Sequence, residues 1–186
     1  MPAAAQFSIL TVCTGNICRS PAVERLLRAG LPASVQVTSA GTGAVVGHPI
    51  DDQMARLLRA AGVPDAGFAA RQLRPDQVRS ADLVLALTTT HRAAVLREVP
   101  AALRRSFTLL EFARIIEAPQ FPPIPAGGVP ERLRFMVAEA SRHRMLGEVV
   151  SSDDVPDPYR LDDAVFESTF TLIQRAVDAI VRAALG

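Results

Sequence analysis

Not one lysine occurs among the 186 residues; all 20 basic side chains are arginine. That absence excludes a GxxxxGK[ST] nucleotide loop, a lysine Schiff base and a kinase-type lysine. Tryptophan is missing, and the single tyrosine is Tyr159. Two cysteines, Cys13 and Cys18, are too few for a secreted disulfide scaffold. The three histidines, His48, His91 and His143, are scattered. A zinc site on Cys13 and Cys18 therefore lacks its remaining ligands, and a Cys–His hydrolase lacks its second partner. The histidines read as surface or core residues, and no metal is expected. No apolar run approaches the ~18 residues of a membrane span. Met1–Gln6 carries no positively charged n-region, so a reducing cytoplasm is the expected compartment. Neither sign of charge dominates. A formal net charge of +1 gives no long-range attraction for nucleic acid or an anionic membrane, and neither is expected as a partner.

What is present reads as one globular domain over residues 1–186, with 49% hydrophobic and 21% charged residues. Phe7–Val12 is a short apolar strand run. Pro21 suits the first turn of a helix, Ala22–Ala29 continues it, and Gly30 and Pro32 stop it. Ser34–Ser39 alternates as a strand, and Asp51–Ala61 is an amphipathic helix closed by Gly62. Ala81–Leu87 is apolar throughout, as in a strand buried on both faces. Thr88–Glu98 follows as a helix, Phe107–Leu110 as a fourth strand, and Leu161–Leu185 as a long helix whose apolar residues recur at helical spacing. Strands alternating with helices predict an α/β fold: a doubly wound, four-stranded parallel sheet with helices on both faces. In such sheets ligands bind at the carboxyl ends of strands, where the 13–20 loop falls. The proline-dense stretch Ala118–Pro130 departs from this rhythm, and Glu131–Arg144 reads as an extra arginine-rich helix with a solvated charged face.

The CTGNICRS stretch, Cys13–Ser20, carries the chemistry. A cysteine at a helix N-terminus and beside an arginine ionises readily, and the thiolate is the nucleophile. Cys13 has both features, with Arg19 six residues on. The same positive field would hold an anion, because the amides of a tight loop form a nest to which the helix dipole adds. Gly15 and Asn16 tolerate left-handed backbone angles. Arg19 can grip two phosphate oxygens through its fork. With 20 arginines the bare Cys-x5-Arg spacing is a weak signal. The whole string, set between a strand and a helix, is specific. A reaction of this kind also needs an acid. The Ser151–Pro158 loop supplies Asp153, Asp154 and Asp157, and Asp162 and Asp163 follow it. Residue chemistry alone does not choose among them.

VCTGNICRSP resembles the active-site signature of the low-molecular-weight protein tyrosine phosphatases. SAGT (Ser39–Thr42), ARQL (Ala70–Leu73) and Asp157-Pro158-Tyr159 have counterparts there too. The resemblance spans nearly the whole chain except residues 118–146, which look like an insertion. It implies metal-free hydrolysis of phosphate monoesters without a cofactor, and as partner a phosphotyrosine-bearing protein or peptide. Cys13 would be the nucleophile and form a phosphocysteine. Arg19 would hold the phosphate together with the loop residues Thr14, Gly15, Asn16, Ile17, Cys18 and Ser20. Asp157 would be the general acid and then the base. Ser20 would also hydrogen-bond the Cys13 sulfur, and Asn16, tied to Ser39, would hold the loop's shape. Tyr159 would line the substrate pocket. The resemblance allows Cys18 a reversible disulfide with Cys13, while as a residue it reads equally as a small buried side chain.

The chain departs from the family pattern in places. Arg160 follows Tyr159 where a second tyrosine is frequent. The GAVVGHP segment holds no aromatic residue, which predicts a less aromatic pocket. Phe68 stands where a histidine often precedes ARQ. Related protein arginine phosphatases carry Thr where this chain has Ile17, and an apolar Ile favours an aromatic ring. Arsenate reductases of this scaffold need cysteines beyond Cys18. A non-catalytic phosphate-binding module is the alternative of another class, and such a module would typically have lost Cys13, Arg19 or Asp157.

Overall fold

In the computed structural model, residues 7–144 and 153–186 are described. The expectations for Met1–Gln6, residues 145–146 and the two serines at 151–152 lie outside them. The elements run β1 (Phe7–Cys13), α1 (Arg19–Gly30), β2 (Val35–Gly41), α2 (Asp52–Ala60), α3 (Pro75–Ser80), β3 (Leu83–Ala86), α4 (Thr89–Glu98), a 3-10 turn (Pro100–Arg105), β4 (Ser106–Thr108), α5 (Leu109–Glu117), α6 (Val129–His143) and α7 (Asp163–Leu185). The four strands form one sheet in the order β2-β1-β3-β4. Every pairing is parallel.

Alternation along the strands builds two cores. Phe7, Ile9, Val35, Val37, Leu83 and Leu85 turn to one face, against residues of α1, α2, α5, α6 and α7. Leu10, Val12, Ala40 and Val84 turn to the other, against Val78 of α3, Val95 of α4 and Ala102. All four β3 residues are buried, as a central strand of a doubly wound sheet requires. Burying the large aliphatic side chains contributes roughly 1.5–3 kcal/mol each.

Three elements went unread in the sequence, and one boundary is corrected. The fourth strand is Ser106–Thr108, not Phe107–Leu110. Leu109 and Leu110 belong to α5, because Thr108 accepts a hydrogen bond from Glu111 N–H while the Glu111 carboxylate accepts from Thr108 N–H. This reciprocal cap turns an apolar run into a helix. The helix α3 and the 3-10 turn are six residues each, with proline at their starts, too short to show a period.

The arginine-rich helix α6 packs on the main core through Leu133, Met136 and Ala140. The solvated charged face expected for Glu131–Arg144 is corrected, because two of its arginines are engaged with the fold. Arg144 lies 3.9 Å over the Phe107 ring. It donates to the Glu111 carboxylate at 2.8 Å and to the Ser106 carbonyl at 2.7 Å. Arg132 donates to the carbonyls of Pro125 and Ala183. Among the described residues, no helix is long and apolar enough to cross a membrane.

Candidate active site

The β1–β2 register pairs Phe7 with Val35 and ends with Cys13 opposite Gly41. Two adjacent strands therefore deliver their following loops to one point at the carboxyl edge of the sheet. Residues 14–18 then lead into α1, whose first turn carries no acidic residue and whose N-cap, Cys18, makes no side-chain capping bond. The positive end of that helix is left for something else to neutralise.

The loop's carbonyls are held on its outer side. Thr42 N–H donates to Cys13 O, Gly43 N–H to Thr14 O, Val45 N–H to Gly15 O and Asp51 N–H to Ile17 O, at 2.8–3.1 Å. In a trans peptide the N–H points opposite to the preceding carbonyl. The amides of Thr14, Gly15, Asn16 and Cys18 therefore face inward, and the Asn16 N–H lies 3.3 Å from Cys13 Sγ. Asn16 takes the left-handed conformation, with φ 54°. Gly15 does not, so the left-handed expectation is corrected there and holds for Asn16 alone.

A chain of side chains fixes this loop. Asn16 Oδ1 accepts from the Arg71 N–H at 2.8 Å, which directs the Asn16 amide group to Ser20 Oγ at 2.9 Å and Ser39 Oγ at 2.8 Å. Ser39 Oγ in turn donates a hydrogen bond to the Glu24 carboxylate at 2.6 Å. Because Ser20 Oγ accepts from Asn16, its proton is available to Cys13 Sγ, 2.9 Å away. Glu24 is 1% exposed and paired with Arg28 and Arg71. Neither Glu24 nor Arg71 was singled out in the sequence. A single carboxylate among the arginines of α1 reads in a one-dimensional string like any surface acid, and nothing in it marks the burial.

Arg19, 5% exposed, lies beneath the acid loop. Its Nη1 donates to Val155 O at 3.1 Å and its Nη2 to Asp157 Oδ2 at 2.6 Å. The Asp157 side chain is 53% exposed. The neighbouring acids have structural partners: Asp153 with Arg114, Asp154 with Thr89 N–H, Asp162 as the cap of α7, and Asp163 with Gln53 and Arg56. Asp157 is thus the acid of this segment that meets the loop.

Cys13, Thr14, Gly15, Ile17, Cys18, Arg19, Asp157 and Tyr159 all line one cavity of about 220 Å³, with Gly43 and Val45. Ser20, Asn16 and Ser39 lie behind it and are fully buried. Ile17, Val45 and Tyr159 make its apolar wall, two aliphatic side chains and one ring. Burial pushes the Cys18 thiol well above its ordinary range, with Asp51, Cys13 and Asp157 adding to the shift and Arg19 opposing it. Both cysteines are free thiols. The described residues contain no group of three or more His, Cys, Asp or Glu side chains suited to a metal.

Two further residues have contacts at the loop that their place in the sequence does not show. A Cβ on Gly41 would lie 2.2 Å from Thr14 O, so only glycine lets the two loops touch. His91, read as a generic surface or core histidine, contacts Thr14 Oγ1 through Nε2 at 2.8 Å.

Comparison with known proteins agrees with this geometry. Residues 8–118 match the family of low molecular weight phosphotyrosine protein phosphatases. The match ends where the proline-dense stretch begins. The chain is 34% identical over 169 residues to the low molecular weight protein-tyrosine-phosphatase Etp of Escherichia coli strain K12, covering 91% of this chain and 88% of that one. It superposes on the tyrosine phosphatase Wzb of Escherichia coli K30 in complex with sulphate, with TM-score 0.70, 28% identity and coverage of 96% and 98% of the two chains. The YwlE arginine phosphatase of Geobacillus stearothermophilus superposes with TM-score 0.70 at 24% identity, covering 95% and 91%, and that likeness speaks for the fold alone.

Proposed function

The chain belongs to the low-molecular-weight protein-tyrosine-phosphatase family, and from that premise we propose that it hydrolyses protein phosphotyrosine through a phosphocysteine on Cys13. The observation that carries this reading is the convergence of Cys13, Arg19 and Asp157 on one apolar-walled cavity.

In the first step Cys13 Sγ attacks phosphorus. An S–P bond forms, the P–O bond to the tyrosine breaks, and Asp157 gives its proton to the leaving oxygen. The inward amides and the Arg19 fork hold the three equatorial oxygens throughout. In the second step the Asp157 carboxylate takes a proton from water. The water oxygen bonds to phosphorus, the S–P bond breaks, and inorganic phosphate leaves. The Ser20 proton stabilises the departing Cys13 thiolate. The positive field comes from Arg19 and the loop amides, so the mechanism assigns no step to a metal or cofactor.

The wall of Ile17, Val45 and Tyr159 supports an aromatic substrate, since a ring would cover apolar surface that phosphoserine would leave wet. We place the activity in a reducing compartment such as the cytoplasm, because the nucleophile must stay a thiol. Segment 118–146 is read as an insertion, and its described part lies against the core.

The test is phosphate release from p-nitrophenyl phosphate in the presence of chelator, for the native protein beside Cys13→Ser. Turnover that survives chelator and vanishes in the variant is expected. Phosphotyrosine peptides should then exceed phosphoserine and phosphoarginine peptides in kcat/KM. Preference for phosphoarginine would move the assignment to the arginine-phosphatase branch, and absence of turnover by folded, reduced protein would leave only a phosphate-binding module.

A further inference from the structure

We propose that His91 is a positioning residue of the phosphate loop, whose ring turns the Thr14 hydroxyl proton into the pocket to meet a phosphoryl oxygen. This rests on the phosphatase reading above and adds a hydrogen-bond donor to it.

His91 belongs to the first turn of α4 and is 5% exposed. Its ring is clamped between two hydroxyls. Nδ1 lies 2.8 Å from Thr88 Oγ1, and Nε2 lies 2.8 Å from Thr14 Oγ1. Thr88 is the N-cap of α4, and its Oγ1 also accepts the His91 backbone N–H at 3.2 Å. Thr14, by contrast, lines the cavity. The ring is thus a bridge from a rigid helix cap to a side chain at the reacting centre.

Proton counting sets the direction of the bridge. A neutral imidazole has one N–H and one lone pair. If Thr88 gives its hydroxyl proton to Nδ1, the Nε2–H donates to Thr14 Oγ1, and the Thr14 proton is left for the pocket. In the opposite tautomer Thr14 spends its proton on Nε2 and turns lone pairs toward a dianion, which repels it. An anion in the cavity selects the first arrangement. Burial, with Arg19 second, lowers the ring's pKa to about 4, while Asp157 and Asp154 oppose the shift, so the neutral form is the one present.

The first turn of α4 also holds the acid loop. Thr89 N–H donates to Asp154 at 2.6 Å, Val155 N–H donates to Leu87 O at 2.8 Å, and Val155 O accepts from Arg19. The same short stretch therefore sets the spacing between the nucleophile's loop and the acid's loop, with His91 as its contact to the former.

The experiment is a double-mutant cycle of Thr14→Val and His91→Asn, read as KM and kcat for p-nitrophenyl phosphate and as the dissociation constant of inorganic phosphate by calorimetry. Asparagine can keep the contact to Thr88 but is too short to reach Thr14, whereas His91→Gln places an amide near the Nε2 position. Each single change should weaken phosphate binding about tenfold, the worth of one hydrogen bond to a charged group. The pair should be no worse than the poorer single variant, and His91→Gln should recover most of the loss. Additive losses, or Asn and Gln variants that behave alike, would overturn the proposal. If His91→Asn fails to fold, His91→Ala takes its place in the cycle, and a cost of that change that persists undiminished beside Thr14→Val overturns the proposal equally. Should the native protein show no turnover, the phosphatase reading falls, while the phosphate-binding cycle still decides the role of His91.

Discussion

Arg19 Nη2 and Asp157 Oδ2 lie 2.6 Å apart, so the arginine proposed to hold phosphate and the one acid lining the cavity among the described residues are paired with each other. A bound phosphate must share or displace that contact. Asp157→Ala is therefore expected to lower turnover by about 10²–10⁴ while tightening the binding of inorganic phosphate or vanadate. The loss should be smaller for p-nitrophenyl phosphate, whose leaving group needs little protonation, than for phenyl phosphate. Initial rates on both substrates, with inhibition constants, check this; weaker anion binding by the variant would contradict it.

Ser39 stands between Glu24 and Asn16. Ser39→Ala removes the acceptor for the Asn16 amide and the donor to a buried carboxylate. A stability loss of about 1–3 kcal/mol is expected, with a lower kcat. Urea unfolding beside steady-state kinetics measures both.

Gly41 and Gly43 offer a matched pair. A Cβ on Gly41 meets Thr14 O at 2.2 Å, whereas one on Gly43 meets only the Thr14 methyl at 3.9 Å. Gly41→Ala should displace the loop and cut kcat/KM at least tenfold, with a cost of ~1–3 kcal/mol. Gly43→Ala should leave both near the native values. Equal effects from the two would refute the contact argument.

His91 makes stability depend on pH. Its pKa is lowered to about 4 from 6.5 by burial and by Arg19. Between those values the unfolded chain binds a proton that the folded chain does not. The contribution is complete above pH 6.5 and is lost as pH falls toward 4. Melting temperature should decline across that window, and more gently in His91→Gln.

Arg144 reaches Glu111, Ser106 O and the face of Phe107 together. Arg144→Ala should destabilise the fold by about 2 kcal/mol, and Arg144→Lys should restore little, because an ammonium cannot reproduce the fork. Thermal unfolding of the two variants distinguishes this from a solvated charge.

The site was legible where chemistry and chain order coincide. Cys13, Asn16, Arg19 and Ser20 fall within eight consecutive residues running from the end of β1 into α1, and a strand, a nest of amides and a helix start are all local patterns. Asp157 is different: residue chemistry left it among several acids, and resemblance singled it out. The helix α5 was hidden because an apolar run such as FTLL suits strand or helix alike, and a Thr108–Glu111 cap decides which.

The amino-acid sequence by itself determined the alternation of strands and helices, and with it a parallel sheet whose loops gather at one edge. It also determined a candidate nucleophile, a fork and a tight loop in fixed order, because those depend on neighbours along the chain. Only the tertiary structure decided which distant groups complete the loop: Glu24 and Arg71 behind it, Gly41 against it, His91 beside it and Asp157 over Arg19. Those partners lie from a few to more than a hundred residues away, and their contacts exist only once the sheet register has brought the strand ends together.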